Sequence, residues 1–93
     1  MLNDNPLLAF LGRRGRGAVV EALRRNPSRG LSVRELARLA DVKPMAASRA
    51  VRELETLRAV AAVRRGRDVR VRLDGSTKAG AFLSTVDVPG PPF

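Results

Sequence analysis

The sequence contains no cysteine, histidine, tyrosine or tryptophan. The absence of cysteine excludes disulfides and thiol catalysis, and the absence of histidine removes the commonest general base and the commonest transition-metal ligand. The nine carboxylates are scattered, and the glycine-rich stretch at 13–17 lacks the preceding strand and the lysine of a phosphate-binding loop. We therefore predict that the protein is not an enzyme and binds neither a metal nor a cofactor.

Long apolar runs are also missing, because no stretch approaches the roughly 20 residues of a membrane-spanning helix. The first five residues lack the basic region of a signal peptide, so we expect a cytoplasmic protein. Charge is unbalanced: 18 basic residues, mostly arginine, against nine acidic ones give a net charge of +9. Such a surface attracts polyanions, of which nucleic acid is favoured over an anionic membrane.

A first amphipathic helix is predicted over about residues 16 to 25. Its apolar stripe is Val19, Val20 and Leu23. Four charged side chains are expected to point to solvent: Arg16, Glu21, Arg24 and Arg25. Asn26 and Pro27 then end the helix. The apolar segment before it, 6–11, fits either core packing or a contact between two subunits.

The second predicted helix, residues 32–40, has the clearest start signal. Ser32 and Glu35 have the spacing of a capping box, in which each side chain bonds a backbone amide of the other residue. Leu31 and Leu36 are spaced as a hydrophobic staple across this cap. We expect the helix to end near Ala40.

A third helix is predicted over 44–57, after a turn at 41–43 and with Pro44 at its first position. Its buried stripe is expected to be Ala47, Val51 and Leu54, with Ala50 and Leu57 beside it. The opposite face carries Ser48, Arg49 and Arg52. Two helices joined by a turn of three or four residues have the spacing of a helix-turn-helix.

The run 60–63 fits a short strand, and the alternation in 69–73 predicts a strand with one buried face and one arginine-bearing face. The glycine-containing stretch 64–68 joins them as a hairpin. Beyond it, Ser76 is the expected cap of a short helix that Gly80 weakens.

The predicted fold is therefore mainly α with a small β-hairpin (α+β). It is a winged helix-turn-helix domain over 1–75, with three core helices and a two-stranded wing over 60–73. A short C-terminal helix or flexible tail is predicted over 76–93.

Residues 11–73 resemble winged helix-turn-helix regulators of the ArsR and MarR type, and more closely the small winged-helix modules associated with nucleotidyltransferases. The most specific stretches are 32–40 and 47–55. The resemblance implies a DNA-binding protein whose third helix enters the major groove. Three positions depart from the pattern: Asp41 stands where the turn usually has glycine, Lys43 replaces a serine or threonine cap, and Arg58 replaces the glycine after the third helix.

The DNA contacts predicted on the third helix are Lys43, Met45, Ala46, Ser48, Arg49 and Arg52. Because an α-helix fits the major groove, Arg49 is expected to bond a guanine edge, and Met45 or Ala46 to touch a thymine methyl. Ser48 and Lys43 are expected to bind phosphates. The alternative is a solvated face on which Arg49 pairs with Glu53, four residues further on.

The DNA contacts predicted in the wing are Arg64, Arg65 and Arg67, with Arg70 and Arg72 below them and one anion, Asp68. Folding does not require so much positive charge at a hairpin tip, whereas contact with the DNA backbone or minor groove explains it. Arg13, Arg14 and Arg16 either extend this basic surface or are simply solvated.

We expect a transcriptional regulator that binds double-stranded DNA sequence-specifically, as a homodimer that reads paired half-sites. One alternative, suggested by the apolar segment 7–11 and by the small number of aromatic residues, three phenylalanines, is a winged-helix module that docks onto a partner protein or enzyme. RNA binding is less favoured, because single-strand readers stack bases on aromatic side chains and this chain has only three phenylalanines.

Overall fold

The computed structural model describes residue 10 and residues 15–27 and 29–85. The elements in these residues are helices α1 (Arg16–Arg24), α2 (Val33–Ala40) and α3 (Pro44–Thr56), strands β1 (Val60–Arg65) and β2 (Asp68–Leu73), and helix α4 (Lys78–Thr85). The predictions for segment 6–11 apart from Phe10, for Arg13 and Arg14, and for the chain beyond residue 85 lie outside the described residues. None of the described helices is long and apolar enough to cross a bilayer.

Helix α1 buries its predicted stripe, since Val19, Val20 and Leu23 are fully buried. The prediction that Arg16 points to solvent is wrong, because this residue is only 9% exposed. Its guanidinium lies 5.9 Å from the ring centroid of Phe10, which is itself part of the core. A long arginine stem packs readily against apolar neighbours, so a basic residue at the start of a helix does not have to be solvated.

The solvent face of α1 carries two ion pairs that share Glu21. Glu21 accepts bonds from Arg25 at 2.8 Å and from Arg24 at 2.9 Å. These bonds, first that of Arg25 and then that of Arg24, hold the pKa of Glu21 below its usual value. Arg25 remains 74% exposed, so its ion pair with Glu21 is a solvent-exposed one.

Helix α2 begins with the predicted capping box. The N–H of Glu35 donates to Ser32 Oγ at 3.2 Å, and the N–H of Ser32 donates to Glu35 Oε1 at 3.0 Å. Leu31 and Leu36 are both buried across this cap, as a hydrophobic staple requires. The helix ends at Asp41, whose φ of +56° is the left-handed conformation that glycine usually supplies and that aspartate tolerates.

Helix α3 starts without a side-chain cap, because Lys43 in the N-cap position makes no capping hydrogen bond. Its C-terminus keeps the geometry of a glycine-terminated helix although Arg58 replaces the glycine. Arg58 has a φ of +59°, and the N–H of Ala59 reaches back to the carbonyl of Leu54 at 2.9 Å. This is the bond of a Schellman motif that spans five residues, and the motif directs the chain into β1.

Strands β1 and β2 pair antiparallel, and their register ends with Arg65 opposite Asp68. Residues 66 and 67 form the turn, in which Gly66 has a φ of +61°. Glycine with a positive φ at the first central position is typical of the type II′ turns that suit twisted hairpins. The turn is therefore shorter than the predicted connection over 64–68, and Arg64 lies within β1.

Side chains of the hairpin alternate between two faces. Val60, Val71 and Leu73 share the face that is buried against the helices, in agreement with the predicted pattern of the second strand. Leu31 forms an isolated antiparallel bridge to β2: its N–H donates to the Val71 carbonyl at 2.9 Å, and the Val71 N–H donates back to the Leu31 carbonyl at 2.8 Å. The second face of the hairpin is left to solvent.

Helix α4 is capped by a different residue from the one predicted. The expectation that Ser76 caps the helix is wrong, because the N–H of Gly80 donates to Thr77 Oγ1 at 2.9 Å. Ser76 instead donates its hydroxyl to Asp74 Oδ1 at 2.6 Å, and its backbone N–H bonds the same oxygen. These two bonds, with the hydroxyl bond the stronger influence, lower the pKa of Asp74.

Gly80 lets α4 approach the base of the hairpin. A Cβ at this position would overlap the carbonyl of Asp74 and lie 2.9 Å from the carbonyl oxygen of Ala59. The approach brings Leu83 into the core, where it is fully buried. With α2 and α3 as the helix-turn-helix and the hairpin directly after α3, the predicted winged-helix fold is confirmed.

Candidate nucleic-acid interface

The exposed face of α3 carries three of the residues predicted to contact DNA. Because α3 buries Ala47, Val51 and Leu54, the side chains on its opposite side must face solvent. Met45, Arg49 and Arg52 are exposed there, and Ser48 beside them is half-buried. Met45 is 66% exposed, which is unusual for a large apolar side chain and leaves it free to contact a ligand.

Ala46 lies at the edge of this exposed face. Successive residues of a helix are rotated by about 100°, so Ala46 lies about 60° from Arg49 and about 120° from Arg52 around α3. It is half-buried, and its carbonyl accepts a bond from Arg16 Nη1 at 3.3 Å. Of the two residues predicted to touch a thymine methyl, both neighbour Arg49 on the helix surface, but only Met45 is exposed.

The carboxylate of Glu53 is engaged on the α1 side of α3. Arg16 Nε donates to Glu53 Oε1 at 2.9 Å, with the two side chains only 11% and 30% exposed. Arg49 forms no ion pair with Glu53 in the described part of the chain, so the predicted alternative pairing is not observed. Within the same residues Arg52 also has no carboxylate partner, and both guanidinium groups are available to an external anion.

Lys43 lies directly before α3 and is exposed. Because it provides no side-chain cap, the amides of the first turn of α3 are not satisfied by it. A cationic side chain next to free helix N-terminal amides is favourable for binding an anion.

The three arginines predicted to act at the hairpin tip are all exposed, but they do not share one face. Arg64 pairs with Val69 and lies on the face that continues from the core, whereas its neighbour Arg65 lies on the opposite face. Arg67 occupies the turn between them. The tip therefore presents positive charge in several directions, and within the described residues none of these three arginines forms an ion pair.

Arg70 is not one of the available cations. Its Nε donates to Asp68 Oδ2 at 3.0 Å, and its Nη1 lies 3.5 Å from Glu35 Oε1. Glu35 also pairs with Arg29 at 3.0 Å. The bond from the Ser32 amide, followed by the charges of these two arginines, holds the pKa of Glu35 below its usual value. Arg70 thus ties the hairpin to α2 instead of extending its free charge.

Two basic residues of α2 were not among the DNA contacts predicted from the sequence. Arg34 and Arg38 are exposed and stand one helical turn apart, opposite the buried stripe of Leu36 and Ala40. Neither forms an ion pair within the residues described. Their spacing of four was visible in the sequence. The first helix of a helix-turn-helix commonly crosses the DNA backbone, so both belong to the candidate interface.

No protein-family model matches the sequence, and no curated protein is significantly similar to it. Solved structures do match. The AntR antimony-specific transcriptional repressor is 29% identical, with a TM-score of 0.66 over 84% of this chain and 68% of AntR. The multiple antibiotic-resistance repressor MarR from Listeria monocytogenes is 25% identical, with a TM-score of 0.63 over 85% of this chain and 52% of MarR.

A third neighbour is the Staphylococcus aureus MepR–DNA complex, 20% identical, with a TM-score of 0.66 over 84% of this chain and 63% of MepR. In another MepR structure the match spans 76% of this chain and 51% of that chain, so the matched part covers about half the length of MepR. These neighbours are transcriptional regulators or repressors, in agreement with the prediction that this chain is not an enzyme. The closer likeness to nucleotidyltransferase-associated modules stays a prediction.

Proposed function

We propose that this MarR-type winged helix is a transcriptional regulator that binds double-stranded DNA sequence-specifically. In this proposal α3 lies in the major groove, and the hairpin tip contacts the backbone or the minor groove. MepR, which shares the fold, has been solved bound to DNA. The specific assignment of residues rests on the surface of this chain.

The main support for the proposal is that the exposed arginines of α3 are not neutralised by a carboxylate in the described residues. Arg49 and Arg52 are exposed without a carboxylate partner in the described residues, while the nearby Glu53 is bonded by Arg16. A helix of about 10–12 Å diameter fits a major groove about 12 Å wide, and arginine bonds the O6 and N7 atoms of guanine with its two parallel donors. Arg49 is in the N-terminal half of α3, the part that reaches base edges in such complexes.

The remaining residues have supporting roles in this arrangement. Met45 offers an apolar contact to a thymine methyl, and Lys43 and Ser48 bind phosphates at the start of α3. At the tip, Arg64, Arg65 and Arg67 spread in different directions, which suits contact with phosphates on both sides of a groove. We include a homodimer in the proposal, because two copies would read two half-sites about one helical turn apart.

The test compares two arginine variants in duplex binding measured by fluorescence anisotropy. Arg49→Ala should relax the preference among sequences, with a loss of about 1–3 kcal/mol on the preferred duplex. Arg67→Ala should weaken binding to all sequences alike and reduce the slope of log K against log salt by about one.

Lys78→Gln is the matched control, since it also removes one exposed positive charge. Thr77, its neighbour, bonds the carbonyl of Arg58 just past the C-terminus of α3, so Lys78 is at the end of the helix away from Lys43. The control should bind like the wild type. If Arg49→Ala kept both affinity and preference, the assignment of α3 would be wrong. A strict monomer without duplex affinity at low salt would favour the docking module instead.

A further inference from the structure

The solvent face of the hairpin forms an open groove of about 520 Å³. Its side chains are Arg29, Val63, Arg65, Asp68, Arg70 and Arg72. The strand register places Arg65, Arg70 and Arg72 on this one face. Arg65 lies directly opposite Asp68, and Asp68, Arg70 and Arg72 are every second residue of β2, so their side chains point the same way. Four guanidinium groups and a single carboxylate therefore line one concave surface.

Two of the four arginines are fixed by carboxylates. Arg29 and Arg70 both pair with Glu35, at 3.0 and 3.5 Å, and Arg70 also pairs with Asp68 at 3.0 Å. The other two, Arg65 and Arg72, are exposed and form no ion pair among the described residues, although the charge of Arg72 helps to lower the pKa of Asp74. The groove thus has a basic wall fixed by carboxylates, together with two exposed guanidinium groups that form no ion pair in the described part of the chain.

Folding does not account for this arrangement, because like charges gathered on one sheet face repel one another. Arginine binds phosphate with two parallel hydrogen bonds, a geometry that suits a groove with two available guanidinium groups. We propose that this groove is a phosphate-binding site in which Arg65 and Arg72 hold the anion and Arg70 forms the fixed wall. The site is separate from the exposed face of α3. The phosphates are those of a free polyphosphate ligand, because contact of the hairpin tip with the DNA backbone already belongs to the proposed function and is the competing outcome of the test.

The experiment uses the full chain, with tripolyphosphate and a DNA duplex as separate probes. Arg72→Gln removes the charge, Arg72→Lys keeps the charge but loses the two-pronged geometry, and Lys78→Gln is the control with the same net charge as Arg72→Gln. Arg72 makes no ion pair within the described residues, and far-UV circular dichroism verifies that each variant is folded. Binding of tripolyphosphate is measured by calorimetry, and binding of the duplex by anisotropy at several salt concentrations.

For a free ligand, Arg72→Gln should weaken tripolyphosphate binding about fivefold or more, with Arg72→Lys intermediate and duplex affinity unchanged. If Arg72→Gln instead lowers duplex affinity and reduces the salt slope by about one while tripolyphosphate binding is unchanged, the groove belongs to the proposed DNA interface and the polyphosphate site is overturned. The proposal is also overturned if Arg72→Gln binds tripolyphosphate as tightly as Lys78→Gln. The tripolyphosphate measurement decides on the groove even if the chain has no duplex affinity and the proposed regulator function fails.

Discussion

The partly buried pair of Arg16 and Glu53 should contribute more to stability than the surface ion pairs among the described residues. It joins the first residue of α1 to the C-terminal part of α3, 37 positions apart in the sequence. Arg16 also donates to the Ala46 carbonyl at 3.3 Å and lies 5.9 Å from the ring centroid of Phe10. The perturbation is a double-mutant cycle of Arg16→Met, Glu53→Gln and the combination of the two.

The magnitude follows from the partial burial of the pair. Two charges 4 Å apart interact by about 4 kcal/mol at an effective dielectric constant of about 20, and desolvation of both groups offsets part of this. Glu53 retains 30% exposure, so we expect a coupling energy of about 1–2 kcal/mol. Arg16→Met alone should cost roughly 2–3 kcal/mol, because it also removes the bond to Ala46 and leaves the Glu53 charge half-buried without this partner.

Urea unfolding followed by far-UV circular dichroism is the appropriate assay, since the chain has no tryptophan or tyrosine for fluorescence. The control is the same cycle for Arg25 and Glu21, where Arg25 is 74% exposed and the expected coupling is about 0.5 kcal/mol or less. A coupling of Arg16 with Glu53 no larger than that of the surface pair would refute the reasoning.

Three further predictions concern Gly80, the missing N-cap of α3 and the stability of the fold at low pH. Gly80→Ala should destabilise the fold by roughly 3 kcal/mol in urea unfolding, because the new Cβ would overlap the backbone of Asp74. The control, Gly75→Ala, has open space around its Cβ position, so its stability should stay within about 0.5 kcal/mol of wild type. Lys43→Ser should stabilise the fold by about 1 kcal/mol through a new N-cap while weakening duplex binding, so equal or tighter DNA binding would exclude Lys43 from the interface. The folded pKa of Glu35 is lowered, chiefly by the Ser32 amide, so its stabilising contribution is complete above the ordinary carboxyl pKa of about 4 and is lost as pH falls below it. Glu35→Gln keeps the capping-box geometry and should flatten the acid side of the stability profile; an unchanged profile would show that this group does not contribute.

The features that could be predicted from the sequence are those fixed by neighbours along the chain. The capping box of Ser32 and Glu35 depends on a spacing of three, and the buried stripe of α3 depends on a helical period. Arg58 shows the limit of such rules. Glycine is usual at its position, yet the arginine adopts the same left-handed conformation because the chain must turn from α3 into β1.

The features that could not be predicted depend on contacts between distant elements. The sequence pattern predicts that Arg16 of α1 is solvated, and only the packing of α1 on α3 shows that it pairs with Glu53. Gly80 reads as a weak point of a short helix, whereas the structure requires its lack of a side chain where α4 meets Asp74. In the candidate interface, the strand register separates Arg64 from Arg65, a distinction that composition alone does not contain.

Selection of bound duplexes from a random pool, with the wild type and Arg49→Ala in parallel, tests the role of α3 most directly. We expect the wild type to enrich a motif with a strongly preferred guanine, and Arg49→Ala to enrich the same motif with that preference lost. Enrichment of an identical motif by both proteins, or of none by either, would contradict the account of α3 as the helix that reads the bases.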